Sequence, residues 1–222
     1  MIDSASHGVE MVRFLVGEGA DVNARTNDGR AALMEAARGV DFEVVRFLAE
    51  NGAEINAQDK YGEAALIKAV RIGALEVVHF LVDQGAEINA QDNSGKTALM
   101  EAARVGDLEK IRFLVANGAD VNAQTKHGWT ALMQAAPDIE MVHFLVANGA
   151  DVNIQTNNGE TALIQATEWG RLETVRFLVN KGADVNTPDN RGRTPLILAK
   201  EKGLQEVVDF FKETVATGKI GG

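Results

Sequence analysis

Cysteine is absent from this sequence, and proline and aromatic residues are scarce. The 222 residues include no Cys, three Pro and only 5% aromatic residues, while 45% of the chain is hydrophobic. Without Cys, disulfide bonds, thiolate metal sites and a cysteine nucleophile are excluded. With so few rings, Ala, Leu and Val must fill the interior.

Long apolar runs and an excess of positive charge are also missing. No segment approaches the length of a membrane span, and the first residues lack the basic and apolar blocks of a signal peptide. The 22 basic and 32 acidic residues give a net charge of −10, which repels nucleic-acid phosphates and anionic membranes. We therefore expect a cytoplasmic monomer whose partner is a protein or peptide, with no nucleic-acid or membrane partner.

One segment recurs along nearly the whole chain. The copy at residues 91–122 reads QDNSGKTALMEAARVGDLEKIRFLVANGADVN, and its closing GADVN or GAEIN motif returns after 33 residues, or once after 31. The motif begins at Gly19, Gly52, Gly85, Gly118, Gly149 and Gly182. Self-similarity at such a period predicts a solenoid of stacked units, none of which buries its apolar side alone.

Each copy predicts a turn followed by two short helices. Gly95 belongs to a polar turn, where it accepts a positive φ, and Thr97 can cap a first helix from 98 to 104. A second helix from about 108 to 117 has its apolar residues at helical spacing. Gly118 then suits the left-handed residue that closes a helix.

A turn and two antiparallel helices in 33 residues, with Thr-Ala-Leu or Thr-Pro-Leu opening the first helix, resemble the ankyrin repeat. The match is closest at Thr194, Pro195 and Leu196, and the resemblance covers residues 8–216. It implies an all-α ankyrin-repeat solenoid of stacked antiparallel helix pairs with protruding turn or hairpin loops. One departure recurs, because apolar residues follow that Leu where the family often has His. These residues are Met34, Ile67, Met100, Met133, Ile164 and Ile197.

We divide this single domain of residues 1–222 into seven units. A partial unit at 1–23 precedes units at 24–56, 57–89, 90–122, 123–153, 154–186 and 187–219, the last acting as a C-terminal cap. The first unit starts inside a repeat, either because the array is longer or because a lone helix covers its end.

Two irregularities distinguish the units. The unit at 123–153 is two residues short between its helices, where Pro137 predicts an early end of the first helix and a local notch. Ala31 and Ala64 stand where later units have a Thr cap, and losing such a cap costs about 1 kcal/mol. We therefore expect the N-terminal end of the stack to open first.

The sequence offers no constellation for catalysis, a cofactor or a metal ion. Every unit has a Glu at the start of its second helix, three residues before an Arg, His or Asp. A property shared by all units indicates surface ion pairs of the scaffold, not acid–base pairs. His79 and His143 lie two units apart, too far to share a metal ion. We predict no enzyme activity and no cofactor.

Partner contacts are expected where the units differ. In the ankyrin family partners usually lie on the turn tips and the exposed inner side of the first helices, and the resemblance implies that surface here. Tyr61, Trp129 and Trp169 are candidates because large aromatic rings dominate interface energetics. Alternatively, each of these rings folds over its neighbours, with Trp169 filling the notch beside Pro137. The candidate partner-binding residues are Arg30, Arg38, Lys60, Tyr61, Arg71, Lys96, Arg104, Lys126, His127, Trp129 and Trp169.

Arg38, Arg71 and Arg104 end three consecutive first helices. One turn earlier these helices carry an acidic, a basic and an acidic residue, so that Lys68 is expected between two carboxylates of adjacent layers. Either the groups form an exposed ion-pair ladder that contributes little stability, or the Arg column receives an acidic peptide segment or a C-terminal carboxylate.

The expected function is a non-catalytic scaffold that binds a protein or peptide through the turn tips and the concave groove of the inner helices. The alternative is an engineered or library-derived binder on the same fold, although drift at framework positions favours natural divergence. An accessory domain of a larger enzyme has less support.

Overall fold

Helices are the only regular secondary structure in the part of the chain that the structure describes. The computed structural model describes residues 3–39 and 41–216, with side chains at 8–39 and 41–214. One helix, α1 (Asp3–Gly17), precedes six helix pairs joined by short loops. The predicted all-α class is confirmed.

We call the first helix of each pair an inner helix and the second an outer helix. The inner helices are α2 (Ala32–Gly39), α4 (Ala65–Ile72), α6 (Ala98–Val105), α8 (Ala131–Ala135), α10 (Ala162–Glu168) and α12 (Pro195–Glu201). The outer helices are α3 (Phe42–Glu50), α5 (Leu75–Asp83), α7 (Leu108–Ala116), α9 (Ile139–Ala147), α11 (Leu172–Asn180) and α13 (Gln205–Ala216).

Threonine hydroxyls cap four of the inner helices. Oγ1 of Thr97 accepts a hydrogen bond from the Met100 amide at 3.3 Å, which satisfies one of the free N–H groups at the start of α6. The same bond is made by Thr130, Thr161 and Thr194. Ala64 precedes α4 as its N-cap residue and provides no side-chain hydrogen bond, as the sequence predicts.

Aspartate carboxylates cap several outer helices in the same way. Oδ1 of Asp107 accepts a hydrogen bond from the Lys110 amide at 3.0 Å at the start of α7. Ala74 provides no such bond for α5, and neither does Arg171 for α11. The pair α4 and α5 therefore lacks both N-terminal side-chain caps.

Except at α8 and α10, successive inner helices pack on one another more extensively than successive outer helices do. Ala37, Ala69 and Ala102 are fully buried in these helices, and their small side chains permit close approach. Closer packing along the inner helices is the arrangement expected of a curved stack with a groove on that side. The Met and Ile residues after the helix-opening Leu are buried in the first five inner helices, whereas Ile197 of the last one is 40% exposed.

Helix α8 is the shortest inner helix. It has five residues, whereas the others have seven or eight, and it ends at Ala135, two residues before Pro137. Its contact with α10 is smaller than its contact with α6. The early end of the helix predicted from Pro137 is confirmed, and the notch stays a prediction.

The Arg and His residues of the outer helices were predicted to pair with the Glu three positions before them, and not all of them do. Glu43 pairs with Arg46 at 2.5 Å, as expected. Arg112 instead lies over a ring of the next outer helix, with its Cζ 4.9 Å from the centroid of Phe144. Equivalent stacking joins Arg13 to Phe47, His79 to Phe113, His143 to Phe177 and Arg176 to Phe210. This column therefore links successive layers, which the comparison of single units did not show.

Candidate functional site

The turn tips and the inner helices form one surface, which we call the groove-and-tip surface. It comprises residues 26–39, 59–72, 92–105, 125–136, 156–169 and 189–202. These segments contain 12 basic and 10 acidic residues, whereas the rest of the chain contains 10 basic and 22 acidic ones. The negative net charge of the protein is therefore concentrated away from the groove-and-tip surface.

Each turn tip is fixed both internally and to the following tip. Oδ1 of Asp92 accepts hydrogen bonds from the amides of Ser94 and Lys96 at 2.8 and 2.9 Å. The amide of Lys126 donates to the Ser94 carbonyl at 2.8 Å, and similar bonds join the other tips. Gly95 has a φ of +83°, and a Cβ there would lie 2.8 Å from the Lys126 nitrogen. The turn glycine is structural, and the tip side chains project from an ordered backbone.

Tyr61 stands at the boundary of two clefts. It is 58% exposed, and Nζ of Lys60 lies 5.0 Å from its ring centroid and 2.7 Å from Oδ1 of Asp28. A cleft of about 330 Å³ that also involves Arg38 and Ile72 lies on one side, and a cleft of about 440 Å³ opens toward the next tip. The ring is accessible and is held beside a cation that already has a carboxylate partner.

Trp129 does not project from its tip. It is half-buried against the hydrophobic core, and its amide donates to Oγ1 of Thr125 at 3.0 Å. It lines a cleft of about 290 Å³ together with Gln165, Glu168 and Arg193. The ring folds over its neighbours, which was the alternative to a projecting contact, and it forms one wall of the cleft.

Trp169 is the C-cap residue of α10 and is 61% exposed. A ring that filled the notch beside Pro137 would be buried, so this alternative is wrong. The side chain is instead one of the large apolar groups that the groove-and-tip surface presents to solvent.

Two further exposed apolar residues were missed in the sequence. Ile72 and Val105 end α4 and α6 and are 55% and 37% exposed. The signal that could have found them is the alignment of the units, because the equivalent position is Gly39 in α2 and a charged residue after α12.

Arg71 and Arg104 converge on one buried carboxylate. Glu101 of α6 is 2% exposed, and its Oε1 lies 2.6 Å from Nε of Arg71 and 2.7 Å from a terminal nitrogen of Arg104. Arg71 also pairs with Glu63. Burial disfavours the charged form of Glu101, but hydrogen bonds from Arg104 and Arg71 lower its pKa below the usual range. Both guanidinium groups thus have partners within the protein.

The expected position of Lys68 between carboxylates of adjacent layers is wrong. Its Nζ lies 2.7 Å from Oδ2 of Asp59 and 2.9 Å from Oε2 of Glu63, both in its own unit. Burial lowers the pKa of Lys68, but these two partners outweigh it and raise the pKa above its ordinary value. We call this set the α4–α6 ion cluster. It consists of Asp59, Glu63, Lys68, Arg71, Glu101 and Arg104.

Arg30 and Arg38 share the partly exposed Glu35. Arg30 lies 3.0 Å from Oε1 of this carboxylate, whereas Arg38 reaches only 3.7 Å from Oε2. Arg38 is therefore the most loosely held member of the Arg column.

The remaining tip cations have no such partners. Among the described residues, no carboxylate lies at ion-pairing distance from the side chains of Lys96, Lys126 or Arg191. The neighbouring His127 is also exposed on its tip. These cations are free to meet a group from outside the chain.

No set of three or more His, Asp or Glu residues in the described ranges is arranged to hold a metal ion. Across the same ranges, every helix is too short or too polar to span a bilayer.

Sequence comparison agrees with this architecture. A family model described as ankyrin repeats, three copies, matches residues 1–92, 66–156 and 137–217. A search of curated proteins finds no match. The three matches together cover nearly the whole chain, although they leave the division into seven units a prediction. The chain belongs to the ankyrin repeat family.

Proposed function

We propose that this chain is a non-catalytic scaffold that binds a protein or peptide along the groove-and-tip surface. Ankyrin repeats are in general protein–protein interaction modules. The observation that carries the proposal is the exposure of Tyr61, Ile72 and Trp169, each more than half exposed on this surface. Three other large apolar side chains are exposed on α1, at the end of the stack, but those of the groove-and-tip surface lie where partners of this family bind. Exposed apolar side chains on such a surface indicate a site that a partner covers.

The geometry of the surface supports the same function. The clefts beside Tyr61 and Trp129 offer room for side chains of a partner. Because the tips are hydrogen-bonded to one another, little ordering of the scaffold is required when a partner binds. The candidate partner-binding residues all lie in one chain, so we propose that a monomer binds the partner, in the cytoplasm. An engineered binder or an accessory domain of a larger enzyme would use this surface in the same way.

Selection from a phage library of random peptides of about 12 residues tests the proposal. We expect the enriched peptides to bind the variant Tyr61→Ala/Ile72→Ser/Trp169→Ala at least about tenfold more weakly than the wild type. The matched control changes three exposed outer-helix residues, Glu43→Gln/Glu76→Gln/Glu140→Gln, and should bind as the wild type does. Equal binding to both variants, or no enrichment on the wild type, contradicts the proposal.

A further inference from the structure

Positive charge is available on the tips but largely neutralised inside the groove. Lys68, Arg71 and Arg104 are paired in the α4–α6 ion cluster. Lys96 and Lys126 lie on adjacent tips, and within the described ranges neither has a carboxylate at ion-pairing distance. The cations that an external group can reach most readily therefore lie along the tips.

The acidic residues nearby are mostly engaged. Oδ1 of Asp92 accepts hydrogen bonds from its own turn, and Oδ2 of Asp189 lies 2.7 Å from Arg193. Glu168 lies 2.7 Å from Nζ of Lys202. These carboxylates are directed to internal partners, so they compete weakly for a tip cation.

We propose that the partner segment is an acidic peptide that also carries apolar side chains, an inference that rests on the proposed function. Its carboxylates pair with Lys96, Lys126 and Arg191, and its apolar residues cover Tyr61 and the exposed end of α6 at Val105. Adjacent layers are roughly 8 to 10 Å apart. An extended chain advances about 3.3 Å per residue, so a carboxylate at every third residue matches one layer.

The charge distribution favours a polypeptide over a nucleic acid. Duplex DNA carries a negative charge about every 1.7 Å, far denser than a row of isolated tip cations. The 22 acidic residues outside the groove-and-tip surface repel such a polyanion, whereas a short acidic peptide contacts only the groove-and-tip surface. The exposed Ile72 and Val105 also have no counterpart in a phosphate backbone.

Three fluorescein-labelled peptides of about 15 residues test this inference, built from Ser-Leu-Glu, Ser-Leu-Gln or Ser-Leu-Lys triplets. In fluorescence anisotropy we expect the Glu peptide to bind at least about tenfold more tightly than the Gln peptide. Its affinity should fall about tenfold or more as salt rises from about 0.05 to about 0.5 M. An excess of the Lys peptide should not displace the labelled Glu peptide, because the free tip cations repel it, and displacement would count against the inference.

A variant with reversed charges on the tips provides a second test of the inference. The variant Lys96→Glu/Lys126→Glu/Arg191→Glu should lose most of the affinity for the Glu peptide. A control with the same change in charge on exposed cations outside the groove-and-tip surface should keep it. The control is Arg171→Glu/Lys181→Glu/Lys212→Glu.

The outcomes separate this inference from the proposed function. The inference is overturned if the Gln peptide binds as tightly as the Glu peptide, or if the tip variant keeps its affinity. It is also overturned if a DNA duplex of about 15 base pairs binds as tightly as the Glu peptide under the same conditions. None of these results touches the binding of random peptides to Tyr61, Ile72 and Trp169, which judges the proposed function separately.

Discussion

Nε of Arg71 on α4 lies 2.6 Å from Oε1 of Glu101 on α6, a carboxylate whose side chain is almost entirely buried. The pair therefore joins two consecutive inner helices across their interface. In a solenoid, stability depends on such contacts between neighbours more than on any single unit. The α4–α6 ion cluster consequently has a structural role, and contacts with a partner are more readily made by the free tip cations.

Replacing Glu101 with Gln should destabilise the protein. The change removes the charge that Arg71 and Arg104 share, and a hydrogen bond to a charged group contributes about 1.5 to 3 kcal/mol. Because both Arg side chains can partly reach water, we expect the free energy of unfolding to fall by about 1 to 3 kcal/mol. Urea unfolding followed by circular dichroism measures it. The exposed counterpart Glu35→Gln is the control and should change stability by less than about 0.5 kcal/mol.

Acid should weaken the same interface. Burial disfavours the charged forms of Asp59, Glu63 and Glu101, but hydrogen bonds from Lys68, Arg71 and Arg104 lower the pKa of each carboxyl. Each carboxylate therefore stabilises the folded state above its unfolded pKa, about 4, and this contribution is lost as the pH falls through its folded pKa.

We accordingly expect the free energy of unfolding to change little from about pH 5 to 8 and to fall below about pH 4. The raised pKa of Lys68 contributes stability that is lost only in strong alkali. Urea titrations at several pH values measure this dependence. The Glu101→Gln variant should lose less stability on acidification than the wild type, and an identical loss contradicts the assignment.

Restoring the missing caps should stabilise the protein. Ala64 precedes α4 where other units have a capping Thr, and Ala74 precedes α5 where Asp caps other outer helices. We expect Ala64→Thr and Ala74→Asp each to raise the free energy of unfolding by about 1 kcal/mol. The converse change, Thr97→Ala, should lower it by a similar amount. Urea unfolding of the three variants compares these effects, and a destabilising Ala74→Asp would contradict the capping argument.

The sequence predicts well what is decided within one unit. Three examples are the cap at Thr97, the turn at Gly95 and the left-handed closure at Gly118, which has a φ of +89°. Each of these features depends only on residues about four positions away or nearer. The short α8 follows from Pro137 for the same reason. Local backbone geometry and short-range hydrogen bonds suffice for these features.

The groove-and-tip surface is harder to predict because it depends on how adjacent layers sit. Lys68 finds its carboxylates in its own unit, not in the neighbouring ones. Trp129 and Trp169 look equally unusual in the sequence, yet one is half-buried and the other mostly exposed. The repeat period places a residue in a column, but side-chain contacts across the interface decide whether it is available to a partner.

The N-terminal end of the stack should open before the C-terminal end. Met11 and Leu15 of α1 are exposed, although their equivalents Val44 and Leu48 in α3 are buried. The pair α4 and α5 also lacks both side-chain caps. In native-state hydrogen exchange we expect amides from α1 to α5 to exchange faster than those from α10 to α12. Stronger protection of residues 24–89 than of α10 to α12 would contradict this order.

The two Trp residues should differ in how much their substitution changes stability and in how strongly acrylamide quenches their fluorescence. Trp129 packs against the core, so Trp129→Ala should lower the free energy of unfolding by about 1 to 3 kcal/mol, less than for a fully buried ring. Trp169 is mostly exposed, so Trp169→Ala should change stability by less than about 0.5 kcal/mol while weakening peptide binding. The single-Trp variants Trp129→Phe and Trp169→Phe allow each ring to be observed alone. Acrylamide should quench Trp169 more strongly than Trp129, and the reverse order would show that the groove-and-tip surface presents the other ring to its partner.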